Sequence, residues 1–229
     1  MSDDVVDGKY YQVVRPGTFA ERLALVARDD IYADLMTKVG TTAQSTVLDV
    51  GVSDVISAAA NVLERKYPHP AMITAVGLGA GAKFQAEFPH LTYRQIEPNR
   101  PLPFADGAFD LAVSNAVLEH VGSREHQAAF VDDLARVAGT VYISVPNRFF
   151  PIEHHTGIPF LHWTDVSFGA ACRVLGKMEW TQAKTLILMT RSALDVLCAG
   201  PRARGRRIEV GTTGIGLGPF SSNLYALIT

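Results

Sequence analysis

The chain is poor in the features that mark several classes of protein. It has only two cysteines, Cys172 and Cys198, without CxxC spacing, so we expect reduced thiols and no disulfide framework. No apolar run reaches the roughly 18–20 residues of a membrane span. The N-terminus, MSDDVVDGKYY, lacks the basic start and apolar middle of a signal peptide. These absences predict a cytoplasmic protein that does not contact the membrane.

An excess of charge of one sign is also missing. Lys and Arg total 21 against 23 Asp and Glu, a net charge of -2, which supplies no field to attract nucleic acid. The composition, 48% hydrophobic and 19% charged, is that of a globular protein. At 229 residues, the chain is predicted to form a single domain over residues 1–229 with one large core. A homodimer is possible, and the sequence does not decide between a monomer and a dimer.

Strand-like and helix-like segments alternate along the chain, which is typical of an α/β fold with a parallel sheet covered on both faces. Strands are predicted over residues 46–51, 72–76, 91–96, 109–114, 140–145, 207–212 and 223–228. Helices are predicted over residues 19–39, 53–67, 80–88, 124–137 and 190–199. Residues 147–164 are aromatic, rich in His and broken by Pro, which predicts a loop.

Two segments have the pattern of a ligand site. Residues 47–51 read VLDVG, and residues 102–121 read LPFADGAFDLAVSNAVLEHV. Together they resemble class I S-adenosylmethionine-dependent methyltransferases, in particular the methyltransferase type 11 group, over roughly residues 45–146. The resemblance implies a doubly wound three-layer sandwich, with a seven-stranded, mostly parallel sheet whose last strand is antiparallel. It also implies a helical extension over residues 1–44 and a lid on the acceptor side over residues 147–189.

The resemblance implies S-adenosylmethionine as cofactor, bound just beyond the strand ends. The first two motifs depart from the family pattern, because Ser53 and Val55 stand where glycines are expected and Gly77 replaces the acidic residue that takes the ribose hydroxyls. Glu97 is placed to meet the adenine amino group. The cofactor-binding residues predicted in this way are Asp49, Gly51, Val52, Ser53, Gly77, Leu78, Glu97, Asn115 and Ala116.

The segment after the second strand also has a rival interpretation. Residues 75–82 read AVGLGAGA, which fits G-x-G-x-x-A, and Glu97 follows 20 residues after Gly77. This pattern is typical of dinucleotide binding, so an NAD(P)-dependent oxidoreductase that uses the turn at Gly77 and Gly79 is one alternative. Its late place in the chain and the short helix after it count against it. A methyltransferase-like protein without catalytic activity, with a binding or assembly role, is the other alternative.

Methyl transfer needs an aligned nucleophile and, for some acceptors, a general base. The segment after the fifth strand supplies candidates by residue type: His155 or His154 as base, with Glu153 orienting it. A metal held by these three residues and His162 is disfavoured, because adjacent His side chains point apart in extended chain, so no metal is predicted. Glu119 and His120 are candidates to face the cofactor. In the alternative interpretation, Glu119 faces the solvent. The aromatic composition of this segment favours a small-molecule acceptor.

Overall fold

The computed structural model describes residues 19–229. The strands are β1 (Val47–Val50), β2 (Ile73–Gly77), β3 (Thr92–Gln95), β4 (Phe109–Asn115), β5 (Ala138–Pro146), β6 (Ile208–Leu217) and β7 (Phe220–Ile228). The helices are α1 (Phe19–Lys38), α2 (Val62–Lys66), α3 (Ala82–Glu87), α4 (Arg124–Val137), α5 (Asp165–Val174), α6 (Arg191–Leu197) and α7 (Ala199–Ala203). No helix in this part of the chain is long and apolar enough to cross a membrane.

The seven strands form one sheet in the order β3-β2-β1-β4-β5-β7-β6. Strands β1 to β5 are parallel, and β7 runs antiparallel to both β5 and β6. This confirms the predicted seven-stranded, mostly parallel sheet with an antiparallel last strand. The chain leaves β1 toward β2 on one side and returns to β4 on the other. The strand order therefore reverses between β1 and β4, where open α/β sheets bind their ligands.

Helices cover both faces of the sheet. On one face, Ile31 and Leu35 of α1 pack with Leu63 of α2 against buried strand residues. On the other face, Leu134 of α4 and Leu194 of α6 belong to a second buried cluster. All four residues of β1 are buried, as expected for a central strand covered by helices on both sides. The architecture is therefore the predicted three-layer sandwich.

The helix predicted over residues 53–67 forms only at its end, as α2. Ser53 Oγ accepts a hydrogen bond from the amide of Val55 at 3.0 Å, and Asn61 Oδ1 accepts one from the amide of Ser57 at 3.1 Å. Such local bonds offer the backbone a partner other than the helix ladder. Residues 52–61 therefore form an irregular segment between β1 and α2.

The C-terminal half differs from the prediction at two helices, and strands β6 and β7 are longer than the predicted 207–212 and 223–228. Residues 147–164 form the predicted loop, but the helix α5 that follows was not predicted; the Thr164 side chain caps it by accepting from the amide of Ser167. The helix predicted to stop at Gly200 and Pro201 instead continues after a break as α7, because proline is tolerated in a first helical turn. Around α5 lies a small separate core formed by Ile158, Phe168, Cys172 and Leu186.

The predicted N-terminal extension falls partly outside the described residues. Its described part is α1, which packs on the sheet through the cluster that contains Ile31 and Leu35. The division of the chain into an extension, one domain and a lid stays a prediction.

Candidate functional site

A cleft of about 2270 Å³ lies over the carboxyl ends of β1, β2 and β4. All nine residues predicted to bind the cofactor line it, and so do the three predicted catalytic residues Glu153, His154 and His155. The fold thus brings together two groups of side chains that are separated by up to about a hundred residues of sequence. The roles of the individual residues stay predictions.

The floor of the cleft is the pair of turns that follow β1 and β4. The two strands are hydrogen-bonded neighbours, with Asp49 beside Val113. Gly51 has a φ of 107° and donates its amide to the carbonyl of Val76 at 2.9 Å. A Cβ built on Gly51 would overlap the side chain of Val117. The turn therefore needs glycine, both for its backbone angle and for its close packing on the turn after β4.

The turn after β4 is itself constrained. Ala116 has a φ of 56°, which is uncommon for a residue other than glycine. The amide of Ala116 donates to the carbonyl of Ser144 at 2.8 Å, and Asn115 accepts from the Ser144 hydroxyl at 2.6 Å. Backbone in sparsely populated regions persists where the surroundings hold it, and it clusters at binding sites.

Gly77 stands where the family has an acidic residue, and the structure shows why it has no side chain. A Cβ built there would overlap the carbonyl oxygen of Val52. The segment after β1 thus occupies the space into which a carboxylate at this position would extend. Glu97 is exposed at the rim of the cleft, with its carboxylate 3.8 Å from Arg100. Neither position presents a buried carboxylate to a ribose.

The glycines of the rival fingerprint are packed against their own chain. The Tyr93 hydroxyl donates to the carbonyl of Gly79 at 2.6 Å, and a Cβ built on Gly81 would overlap the Tyr93 ring. The helix that follows, α3, has only six residues. A dinucleotide site uses such glycines to let a pyrophosphate approach the backbone at a helix N-terminus. Here the packing favours a structural role for the turn.

Asp49 is buried at 8% exposure and forms a carboxyl pair with Glu64 of α2, which is 5% exposed. Burial, together with the charge of Glu64, raises the pKa of Asp49 well above its usual range. Burial likewise raises the pKa of Glu64. Because two adjacent carboxyl groups in a dry site do not both ionise readily, the pair retains a proton. Sequence reasoning missed Glu64, whose place in a predicted helix gave no sign of this contact.

Glu153 is the centre of a buried hydrogen-bond cluster near the start of the predicted lid. It is 3% exposed and accepts hydrogen bonds from Nδ1 of His155 at 2.8 Å, from the backbone amides of His155 and Thr156, and from the Thr156 hydroxyl at 2.6 Å. Burial alone would raise the pKa of Glu153, but these donors lower it to about 2. The carboxylate thus orients His155 and is saturated with donors, which leaves it poorly suited to accept a further proton.

The pKa values of the two histidines are shifted in opposite directions. Burial lowers the pKa of His155, but the hydrogen bond and the charge of Glu153 outweigh it and raise the pKa above the ordinary value. His154 lies on the cleft wall with its ring 5.6 Å from that of Phe150. Desolvation of the ring, followed by the charge of the neighbouring His155, lowers the pKa of His154. His154 is therefore the more readily neutral of the two.

Two further residues join this wall. The ring of His120 lies edge-on to that of His155, with centroids 4.9 Å apart. Glu119 is 1% exposed, so the interpretation that places it in solvent is wrong. The VLEHV motif drew attention to both residues. The pattern of apolar and polar residues around it did not indicate whether the Glu119 side chain points inward or outward.

The model of the methyltransferase domain family matches residues 33–140. This match, together with the sheet topology, supports a class I S-adenosylmethionine-dependent methyltransferase. The family match ends before the predicted lid, so it covers the cofactor half of the cleft. A comparison with curated proteins finds no match.

Several solved structures share this fold. A methyltransferase from Aquifex aeolicus is 14% identical, covers 100% of both chains and has a TM-score of 0.58. A methyltransferase in complex with the Haloferax volcanii Trm112 activator is 13% identical over 91% of this chain and 90% of the other, with a TM-score of 0.56. A Rhodobacter sphaeroides protein described as a zinc-dependent alcohol dehydrogenase is 13% identical over 94% and 99%, with a TM-score of 0.58. At these identities the likeness shows the fold.

The cofactor of the family is S-adenosylmethionine, and the residues present fit it in most respects. The cleft lies at the switch point of the sheet, and a buried acidic pair lies below it, where a cationic ligand is favoured. The clearest departure is at Gly77, where the Val52 carbonyl occupies the space that an acidic side chain for the ribose would take.

Proposed function

We propose that this methyltransferase transfers the methyl group of S-adenosylmethionine to a small organic acceptor that binds beneath residues 147–189. The observation that carries the proposal is the single cleft that joins the turns after β1 and β4 to the wall formed by His154 and His155. Such a cleft places a cofactor and an acceptor side by side, which is the main task in transferring an already activated methyl group.

At the cofactor end, Asp49 and Glu64 supply negative potential for the positively charged methionine part of S-adenosylmethionine. Gly51 lets the backbone approach, and Asn115 with Ala116 lies beside the methionine portion. Leu78, half-buried on the cleft wall, flanks the adenine ring. Val52 and Ser53 form the segment that folds over Gly77, and Glu97 meets the adenine amino group at the rim.

At the acceptor end, His154 is the better candidate for the general base. It lines the cleft and its pKa is lowered, so it is neutral near pH 7 and accepts a proton. Glu153 acts through His155, whose Nδ1 it holds at 2.8 Å. The wall of aromatic and imidazole rings suits a small organic acceptor, and the net charge of -2 favours it over nucleic acid. The homodimer stays a prediction.

Calorimetric titration with S-adenosylhomocysteine tests the proposal. Micromolar binding is expected, and Leu78→Trp should weaken it strongly by filling the adenine side of the cleft. Leu175→Trp is the matched control, because Leu175 is exposed beyond the end of α5. The absence of measurable binding up to millimolar ligand would favour the alternative of a binding or assembly protein that has kept the sheet. A preference for NAD(H) or NADP(H) in a parallel titration would favour the oxidoreductase.

A further inference from the structure

The Glu119 carboxylate is the least satisfied charged group near the acceptor wall. It lies in the short turn Leu118–His120 after β4 and is 1% exposed. Neither of its oxygens has a hydrogen-bond partner in the described part of the chain. A buried carboxylate without donors costs several kcal/mol, so such groups are normally paired with a cation or coordinate a metal.

Two imidazoles face this carboxylate with a defined orientation. Nδ1 of His120 lies 2.6 Å from the carbonyl oxygen of Thr185, and Nδ1 of His155 lies 2.8 Å from the Glu153 carboxylate. Both partners are acceptors, so each Nδ1 carries the proton and donates it. In the neutral rings, the form that binds a metal, the Nε2 atoms then carry the lone pairs, and Nε2 of His120 is 4.0 Å from Glu119 Oε1. One ligand atom from each of Glu119, His120 and His155 lies within 4.8 Å of the others.

We propose that Glu119, His120 and His155 bind a divalent first-row transition metal ion such as Zn²⁺. Two imidazoles and one carboxylate are a common ligand set for such ions, whereas Mg²⁺ and Ca²⁺ prefer oxygen ligands throughout. The Thr185 carbonyl and the Glu153 carboxylate act as the outer partners that hold each ring and fix its tautomer. Because ligand atoms around Zn²⁺ lie roughly 3–4 Å apart, the site contracts by about 1 Å on binding.

The site joins two parts of the molecule. Glu119 and His120 follow β4 of the sheet, whereas His155 belongs to residues 147–189. The same two segments are also linked by the hydrogen bond from the Ile187 amide to the Glu119 carbonyl at 2.8 Å. A metal ion here fixes the segment over the cleft to the sheet. Since His120 and His155 line the cleft, coordination positions not filled by protein open toward it.

Metal binding to the full chain, after treatment with chelator, tests the proposal directly. Calorimetry with Zn²⁺ and absorption spectroscopy with Co²⁺ should both show one ion per chain. Glu119→Gln and His155→Gln should each weaken binding at least tenfold, and Glu153→Gln should weaken it by about 10–100-fold through loss of the outer partner. His90→Gln, at an exposed histidine outside the cleft, is the matched control and should bind normally.

Thermal unfolding supplies a readout that is independent of activity. Without metal, Glu119→Gln should be at least as stable as the wild-type chain, because it removes a buried charge without a partner. With saturating Zn²⁺ the wild-type melting temperature should rise and that of the variant should not. The absence of stoichiometric binding, or binding that neither Glu119→Gln nor His155→Gln weakens, would overturn the proposal. Neither result depends on S-adenosylhomocysteine binding.

Discussion

Replacing Asp49 with asparagine should change how stability depends on pH. Burial raises the pKa of Asp49 well above its usual range, with Glu64 adding to it, and burial raises that of Glu64. At a pH above about 4, where an unfolded carboxyl has lost its proton, the folded pair still holds one. The folded chain therefore binds one more proton than the unfolded chain, and its stability falls as the pH rises.

The slope follows from the linkage relation. One extra proton in the folded state lowers the free energy of unfolding by about 1.4 kcal/mol for each pH unit until the pH passes the raised pKa. The asparagine side chain still forms hydrogen bonds beside Glu64 but cannot ionise. Asp49→Asn should thus flatten the fall in stability by up to about 1.4 kcal/mol per pH unit, and at pH 8 it should be at least as stable as the wild type.

Urea unfolding of both chains at several pH values from 5 to 8 measures this effect. Asp29→Asn is the control, because Asp29 forms a surface salt bridge with Lys66 at 2.7 Å that is worth at most about 1 kcal/mol. An unchanged slope together with a large loss of stability at pH 8 for Asp49→Asn would show that Asp49 is ionised and paired with a donor. The carboxyl pair would then not retain a proton in the folded chain.

Three further changes test the packing around the cleft. Gly77→Asp restores the family residue, but its side chain would overlap the Val52 carbonyl. The free energy of unfolding measured with urea should therefore fall by about 1–3 kcal/mol, and S-adenosylhomocysteine should not bind more tightly. Tighter binding at full stability would contradict this. In Gly51→Ala the new methyl group would overlap Val117, and position 51 has a φ of 107°, which disfavours alanine. The melting temperature should therefore fall clearly, and an unchanged value would contradict the close contact between Gly51 and Val117. Glu153→Gln loses charge-assisted hydrogen bonds, so residues 147–189 should become easier to cleave in limited proteolysis. Resistance equal to that of the wild type would show that the hydrogen-bond cluster around Glu153 does not hold this segment.

Much of the sheet could be predicted from local pattern. β1 and β4 read as short apolar runs bounded by turn residues, and the helix over residues 124–137 was predicted with its observed limits. Its helical period of apolar residues and the Ser123 cap are local signals. The irregular segment after β1 was not predicted, because the side chains of Ser53 and Asn61 compete with the helix ladder in a way that composition does not reveal.

The sequence by itself determined the fold class, the family and the edge of the sheet where a cofactor binds, because these depend on periodic burial and on motifs a few residues long. Only the tertiary structure decided which side chains meet. Glu64 reaches Asp49, the Val52 carbonyl takes the place of a side chain at Gly77, and Glu119 is buried beside His155. Each pairing joins residues from different elements, and its energy depends on burial and on distances set by the packing of whole layers.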